Sequence, residues 1–406
     1  MDVRDRDGVA STRQLMLGDG CCLLPESLLL AHGRGGVLLV TGAGTSVPAG
    51  LPDFRDLTLD VYKVLDRPLY NVISQIPRDV DRVSQEAAVD LQDYQVAEAK
   101  RFAQSDFDVA LGMLERRLDH DPSKATVVRR AIIEGIRRKS EGPAEIHHSI
   151  IALADRGAAT AVVTTNFDLL LEQAAKRSRK KIETYALSSI PRPGKDVDFS
   201  GVLHIHGALS QKPTQESHCI VTDRDFGEYY LRRQVVPEFV YDAARLFQLV
   251  LIGYTANDPP MRYLLNAVAA DGARFTDLKE RYAFVPYRDR PDPVVLRDWR
   301  ARGIEPIPYD DRDGHRQLAV TLNTWSKLSA INGDQTLVDR LITRIVTNSR
   351  KDNNEYDRDL FDHFYRRGSD AERRKLALLI TGVRATSDWL DAMIEIDKEH
   401  RLELNA

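Results

Sequence analysis

Two side chains stand where chemistry is readily done, Asn166 and His206, each just past the end of a short apolar run. A carboxamide carries both a donor and an acceptor, so Asn166 can hold a water and a hydroxyl together. An imidazole with an ordinary pKa of about 6.5 can accept a proton from either of them. Asp168 follows Asn166 in Thr164-Thr165-Asn166-Phe167-Asp168, and Gly207 follows His206. A third cluster, Gly42-Ala43-Gly44-Thr45-Ser46, comes directly after Val37-Leu38-Leu39-Val40. Glycines let backbone approach a ligand closely, and the turn can offer bare N–H groups to phosphate oxygens. Thr45 or Ser46 can cap the short helix that follows. The spacing departs from G-x-G-x-x-G, because Val47 stands where the third glycine belongs and the next glycine is Gly50. Gly50-Leu51-Pro52-Asp53-Phe54-Arg55 then puts an acid, an aromatic ring and a guanidinium on one tight loop. A fourth polar loop, Gly253 and Tyr254 to Asp258, closes the run Leu249–Ile252.

These clusters need a scaffold that brings them to one edge. Short apolar runs at 37–40, 159–165, 182–187, 202–207, 249–252, 282–286 and 304–307 alternate with amphipathic helical segments. That alternation predicts an α/β fold with a Rossmann-like, doubly wound parallel sheet. In such sheets ligands bind outside the carboxyl ends of the strands, where all four clusters fall. Residues 1–20 read as a charged arm leading into a helix at 27–32. Residues 57–142 read as a helical insertion, with 97–118 and 125–139 as amphipathic segments. Helices are also expected at 146–154, 169–177, 238–249 and from Asp258 to Ala270. From Asp334 the strands stop, and four short helices are expected within a helical C-terminal extension, 331–406, beyond a catalytic domain at 1–330.

Composition excludes several classes. Lys and Arg number 57 against 61 Asp and Glu, a net charge of -4 that gives no general support for nucleic-acid binding. The basic run Arg177–Lys181 reads as a solvated helix end. No secretory leader or membrane-spanning apolar run is apparent, so the expected location is cytoplasmic. Three cysteines without C-x-x-C spacing give neither a disulfide framework nor a structural zinc site. His147-His148 has no second ligand cluster, so no metal is expected; Tyr229, Tyr230, Phe239 and Phe247 are assigned to the core. Bland roles compete for the rest: Asn166 can cap the next helix, and His204, on the same strand face as His206, is its rival for the catalytic role.

Together, G-A-G-T-S…G-L-P-D-F-R (42–55), T-T-N-F-D (164–168), the H-G pair (206–207) and G-Y-T-x-x-D-P (253–259) resemble the sirtuin superfamily. The chain is similar to bacterial sirtuin-like effectors of anti-phage defence over roughly residues 20–330. Protein-deacylating sirtuins have T-Q-N-I-D at the second motif and a four-cysteine zinc module after the H-G pair. Here that segment holds only Cys219, followed by Ile220-Val221-Thr222-Asp223-Arg224-Asp225-Phe226. The resemblance therefore implies an NAD hydrolase, with NAD as substrate and no metal. It implies that Gly42, Ala43, Gly44, Thr45 and Ser46 cradle the pyrophosphate and that Asp168 binds the nicotinamide carboxamide. It further implies that Asp53, Phe54 and Arg55 form a flap over the nicotinamide ribose, and that Gly253, Tyr254 and Asp258 face the adenosine half. His147 is expected to pack within its helix. A homo-oligomer and a HerA-type ATPase partner are implied in the same way. The rival activities are ADP-ribosyl transfer, deacylation, and NAD or nucleotide sensing without turnover.

Overall fold

The computed structural model describes residues 13–78, 90–119, 126–155, 159–178, 182–194, 198–209, 219–254, 278–332 and 334–404. Strands β1 (Gln14–Met16) and β2 (Leu23–Pro25) form an antiparallel pair. They precede helix α1 (Glu26–Gly33), so this stretch contains a strand pair as well as the helix expected there. The main sheet has seven strands: β3 (Val37–Thr41), β4 (Ala161–Thr164), β5 (Thr184–Ala186), β6 (Gly201–His204), β7 (Gln248–Ile252), β8 (Arg281–Tyr287) and β9 (Glu305–Asp310). Their spatial order is β5-β6-β4-β3-β7-β8-β9, and β3/β4, β4/β6, β5/β6 and β7/β8 are parallel pairs. The expected α/β parallel architecture is present. Every residue of β3, β4 and β6 is buried, as strands covered on both faces must be, which is why they read as unbroken apolar runs. The strand order reverses at β3, with β4 on one side and β7 on the other.

The region 57–142 folds as helices α2 (Phe54–Leu65), α3 (Arg67–Ile73), α4 (Asp93–Ala103), α5 (Phe107–Leu118) and α6 (Val127–Lys139). The segment expected to be amphipathic over 97–118 is two helices. Gln104-Ser105-Asp106 breaks it, with Ser105 in the left-handed region (φ 62°) and its N–H returning to Phe102 O. Short polar residues offer the backbone such alternatives to helix continuation. This region is not a separate lobe. Leu57, Val61, Phe102, Leu111 and Ile132 share one core with Phe167 and Leu170, which follow β4. Within it Tyr62 is fully buried, its hydroxyl 3.0 Å from both Glu98 Oε2 and Ala110 O, while Arg117 bridges Glu98 and Asp66.

After α7 (Glu145–Leu153), the half carrying β4 to β7 contains α8 (Leu170–Arg177), the short α9 (Asp223–Phe226), a π-turn at Gly227–Arg232 and α10 (Val235–Leu246). The helix expected at 238–249 thus starts and ends earlier. Helices Pro293–Ala301 and Arg316–Asn332 were not legible in the sequence, whereas Gln335–Ile345, Glu355–Arg367, Asp370–Gly382 and Ser387–Leu404 realise the four expected C-terminal ones.

The chain divides into two compact units, and the division does not fall at residue 330. One comprises Met1–Val37, Val285–Asp292 and Ile307–Ala406; the other comprises Leu38–Phe284 and Pro293–Pro306. In the first, Glu26 is buried beside His363 and Arg366, and Trp325 lies edge-on to His32. All the described candidate site residues lie in the second. Among the described residues, no helix is long and apolar enough to cross a membrane.

Candidate functional site

The glycine turn leaves β3 as two successive 3-10 turns, Ala43–Thr45 and Val47–Ala49. Its N–H groups are mostly spoken for, contrary to the expectation of bare donors. Gly42 N–H donates to Ile252 O (2.9 Å), Gly44 N–H to Gly253 O (3.0 Å), Thr45 N–H to Gly42 O (3.0 Å) and Ser46 N–H to Ala43 O (2.9 Å). Among the described residues, the Ala43 N–H is the one in this turn left without an acceptor. Neither Thr45 nor Ser46 caps a helix through its side chain.

Glycine is required here by close approach. A Cβ on Gly44 would lie 2.8 Å from Gly253 Cα, and one on Gly42 would lie 2.5 Å from a ring carbon of Tyr254. Gly253 itself has φ +76°. The Gly44→Ala variant is expected to lose about 1–3 kcal/mol, the usual cost of forcing an extra carbon into a packed backbone contact. A thermal melt checks this, and an unchanged melt would contradict the contact.

Tyr254, expected to face the adenosine half, is packed against the glycine turn. It is buried, and its hydroxyl reaches Thr41 O (2.6 Å) and Thr165 Oγ1 (3.0 Å). The ring sits against the turn as a brace between β7 and β3. Asp258 lies outside the described residues, as does the helix expected from it to Ala270.

Ser46 joins the glycine turn to Asn166 and Asp168. Its Oγ donates to Asp168 Oδ2 (2.8 Å) and accepts from Asn166 Nδ2 (2.9 Å). Asn166 Nδ2 also lies 3.0 Å from Gly42 O and 3.3 Å from Thr45 Oγ1. The amide nitrogen is therefore spent on the turn, which turns the carbonyl oxygen Oδ1 into the group left for a ligand. Asp168 Oδ1 accepts from the Leu170 N–H (3.0 Å), and the N-cap of α8 is Leu169 without a side-chain cap, so Asn166 does not cap that helix.

His206 follows β6 and is 3% exposed. Its Nε2 is 2.5 Å from the Tyr230 hydroxyl, and its ring meets Phe226 edge-on at 5.7 Å. Burial pushes its pKa down to about 3, so the imidazole is neutral at ordinary pH. Tyr230 is buried, as expected of a core residue, but it is also a site residue. No spacing rule links it to His206; the π-turn that carries it has no sequence signature, although such turns gather at functional sites.

Ala43, Ser46, Asp53, Phe54, Asn166, Asp168 and His206 line one cavity of about 80 Å³, closed further by Ile220 and Phe226. That is room for several waters. Phe54 lies edge-on to Phe107 at 6.0 Å. Asp53 caps α2 by accepting from the Asp56 N–H (2.8 Å) and pairs with Arg78 (2.6 Å). Arg55, read as part of the flap, does not line the cavity. Its guanidinium donates to Ile76 O and lies 5.2 Å over the Phe102 ring, held among the insertion helices. Helix periodicity explains this: Phe54 and Arg55 are successive residues at the start of α2 and project about 100° apart.

The edge of the cavity is tied to the insertion. Arg129 on α6 donates to Asp225 (2.8 Å to both oxygens), Glu115 (3.1 Å) and Cys219 O (2.8 Å). Asp225 in turn accepts from the Val221 and Thr222 N–H groups (3.0 Å each), and Ile220 N–H donates to His206 O (2.8 Å). His147 Nδ1 accepts from the Ala144 N–H (3.1 Å), a contact at the start of its own helix.

Residues 160–307 match the family model described as a SIR2-like domain. Uncharacterized protein y4cA of Sinorhizobium fredii (strain NBRC 101917 / NGR234) is 31% identical over 369 residues, 86% of this chain and 28% of its own length. The chain thus spans little more than a quarter of that relative. Similar solved structures include one titled for the mechanism and regulation of Sir2 enzymes (14% identity, TM-score 0.31, 75% of this chain and 95% of that one). Two are Sir2 homologue mutants in complex with ADP-ribose, at 13% identity and TM-score 0.34 (74% and 96% covered) and at 15% and 0.34 (77% and 99%).

Proposed function

We propose that this SIR2-like domain hydrolyses NAD, cutting the nicotinamide–ribose bond to give nicotinamide and ADP-ribose. The observation that carries the reading is the convergence of Asn166, Asp168 and neutral His206 on one cavity beside the glycine turn. As the C1′–N bond breaks, its electron pair stays on the departing nicotinamide and neutralises the pyridinium charge. Positive charge develops at C1′, and a water held by Asn166 Oδ1 forms the new C–O bond. The water's proton passes to His206 and then to solvent, so NAD and water yield nicotinamide, ADP-ribose and a proton. Asp168 binds the carboxamide, while Phe54 covers the ribose. With Gly42, Gly44, Thr45 and Ser46 bonded internally, the pyrophosphate meets Ala43 N–H and the hydroxyl-lined turn. Use in anti-phage defence, a homo-oligomer and a HerA-type ATPase partner rest on the sequence resemblance alone. Incubating the chain with NAD and separating the products tests the reading; nicotinamide release that depends on an acylated peptide, or that labels a protein, would favour the transferase or deacylase alternatives.

The Tyr230 hydroxyl sits on His206 Nε2, and removing it would free that nitrogen for substrate. Removing one such hydrogen bond is worth about 1 kcal/mol. Tyr230→Phe is therefore expected to raise turnover at sub-saturating NAD about threefold to tenfold, as that free energy converts to rate. A fall in turnover would assign Tyr230 to the proton transfer itself.

A further inference from the structure

We propose that His204 and Glu172 are positioning residues for NAD cleavage, a buried imidazole–carboxylate pair that fixes the backbone of Asn166 and with it the catalytic amide. The proposal rests on the reading of Asn166 as the group that orients water. From the sequence, His204 entered only as the rival of His206 for the catalytic role. The structure gives it another. His204 is 1% exposed and does not line the cavity. Its Nδ1 is 2.8 Å from Asn166 O, and its Nε2 is 2.9 Å from Glu172 Oε1.

The chemistry of the partners fixes the protons. A backbone carbonyl only accepts, so Nδ1 carries hydrogen and donates to Asn166. Burial by itself would push the imidazole pKa down, but the Glu172 carboxylate and the bonds to Glu172 and Asn166 outweigh it and hold the pKa above its ordinary value. Nε2 faces the Glu172 carboxylate oxygen at hydrogen-bond distance, so the ring is held at both nitrogens. Thr184 Oγ1 on β5 donates to the same carboxylate oxygen (3.0 Å), while Glu172 Oε2 is buried without a partner among the described residues.

Strand register explains why the pair reaches Asn166. His204 stands beside Thr164 in the β4/β6 ladder, two residues before Asn166, and Glu172 projects from α8, which starts just after it. The Asn166 N–H donates to Thr164 Oγ1 (3.0 Å), so the residue is held at N–H, carbonyl and side-chain amide. An imidazole–carboxylate contact this deep, with one oxygen lacking a partner among the described residues, is a poor way to gain stability, since apolar replacements are often neutral or better. Its placement makes sense as control of Asn166, because small misplacements of a reacting group cost large factors in rate.

The test compares His204→Phe/Glu172→Leu, which removes both polar partners together, with Glu172→Gln. A glutamine side chain can donate to Nε2 and leave Nδ1–H on Asn166 O. Two measurements are made on the full chain: steady-state NAD hydrolysis, and amide hydrogen exchange over residues 161–172. The double variant should melt near the wild type, lose about tenfold to a hundredfold in kcat with KM changed much less, and exchange faster at 164–168. Glu172→Gln should restore both readouts. Unchanged exchange in the double variant overturns the proposal whether or not NAD is cleaved. Faster exchange with undiminished kcat overturns it too. A wild type without turnover overturns the functional reading instead, and exchange then decides the contact independently.

Discussion

His206→Ala and Asn166→Ala should each reduce NAD turnover by about 10²–10⁴-fold while the thermal melt stays close to that of the wild type. For His206 that is the range of a positioned general base. Two features make these the largest catalytic effects expected. His206 is the imidazole of the cavity lining, already neutral, and Asn166 offers its Oδ1 after its nitrogen is committed to Gly42 and Ser46. The pH dependence follows from the sign of the shift. A histidine whose folded pKa is about 3 binds fewer protons than the unfolded chain, whose imidazole titrates near 6.5. Its burial therefore costs nothing above pH 6.5, and stability falls progressively as the pH drops from there toward 3. Turnover should likewise show no inflection near pH 6.5 from His206. A pH–rate profile with a base of pKa 6–7 that disappears in His206→Ala would contradict the neutral, buried state. Equal turnover in wild type and both variants would remove them from the mechanism.

Arg129→Ala is expected to be the most damaging single change outside the cavity. The guanidinium is mostly buried between Glu115, at 2% side-chain exposure, and Asp225, at 14%. Deleting one partner of such a cluster leaves carboxylates buried without their counter-charge, which costs about 3–5 kcal/mol. The effect should reach the site. Asp225 would lose its anchor to α6 while still holding the Val221 and Thr222 N–H groups, and Ile220 is bonded to His206 O. Denaturant melts should therefore show the destabilisation, and activity assayed well below the midpoint should fall as well. A variant destabilised by less than about 1 kcal/mol would mean that the pairing is solvated, as surface bridges are.

The sheet was readable because its central strands are buried on both faces. Val37–Val40, Ala161–Thr164 and Leu249–Ile252 can be little else than buried strands in an alternating α/β chain. Short strand β1 escaped, since Gln14-Leu15-Met16 carries no period long enough to register, and the break at Ser105 was masked by apolar spacing that continues through it. At the site, the clusters were found from residue type and position past a strand end, and seven of the named residues line one cavity. What each side chain does there was less legible. Whether Arg55 points to the cavity or into the insertion depends on helix phase and on Phe102. Whether Tyr254 faces a ligand depends on β7 lying against β3, a neighbour relation that strand order alone creates. Tyr230 and Glu172 reach the two histidines from elements at least 24 residues away, and no spacing rule connects them.

The most direct measurement of the central claim is product analysis after incubating the full chain with NAD in ¹⁸O-labelled water, with His206→Ala as the control. Expected are equal amounts of nicotinamide and ADP-ribose, one ¹⁸O incorporated at the ribose anomeric carbon, and no requirement for an acylated peptide. Recovery of intact NAD from a folded wild type that still binds it, or ADP-ribose found only on protein or acyl acceptors, would contradict it.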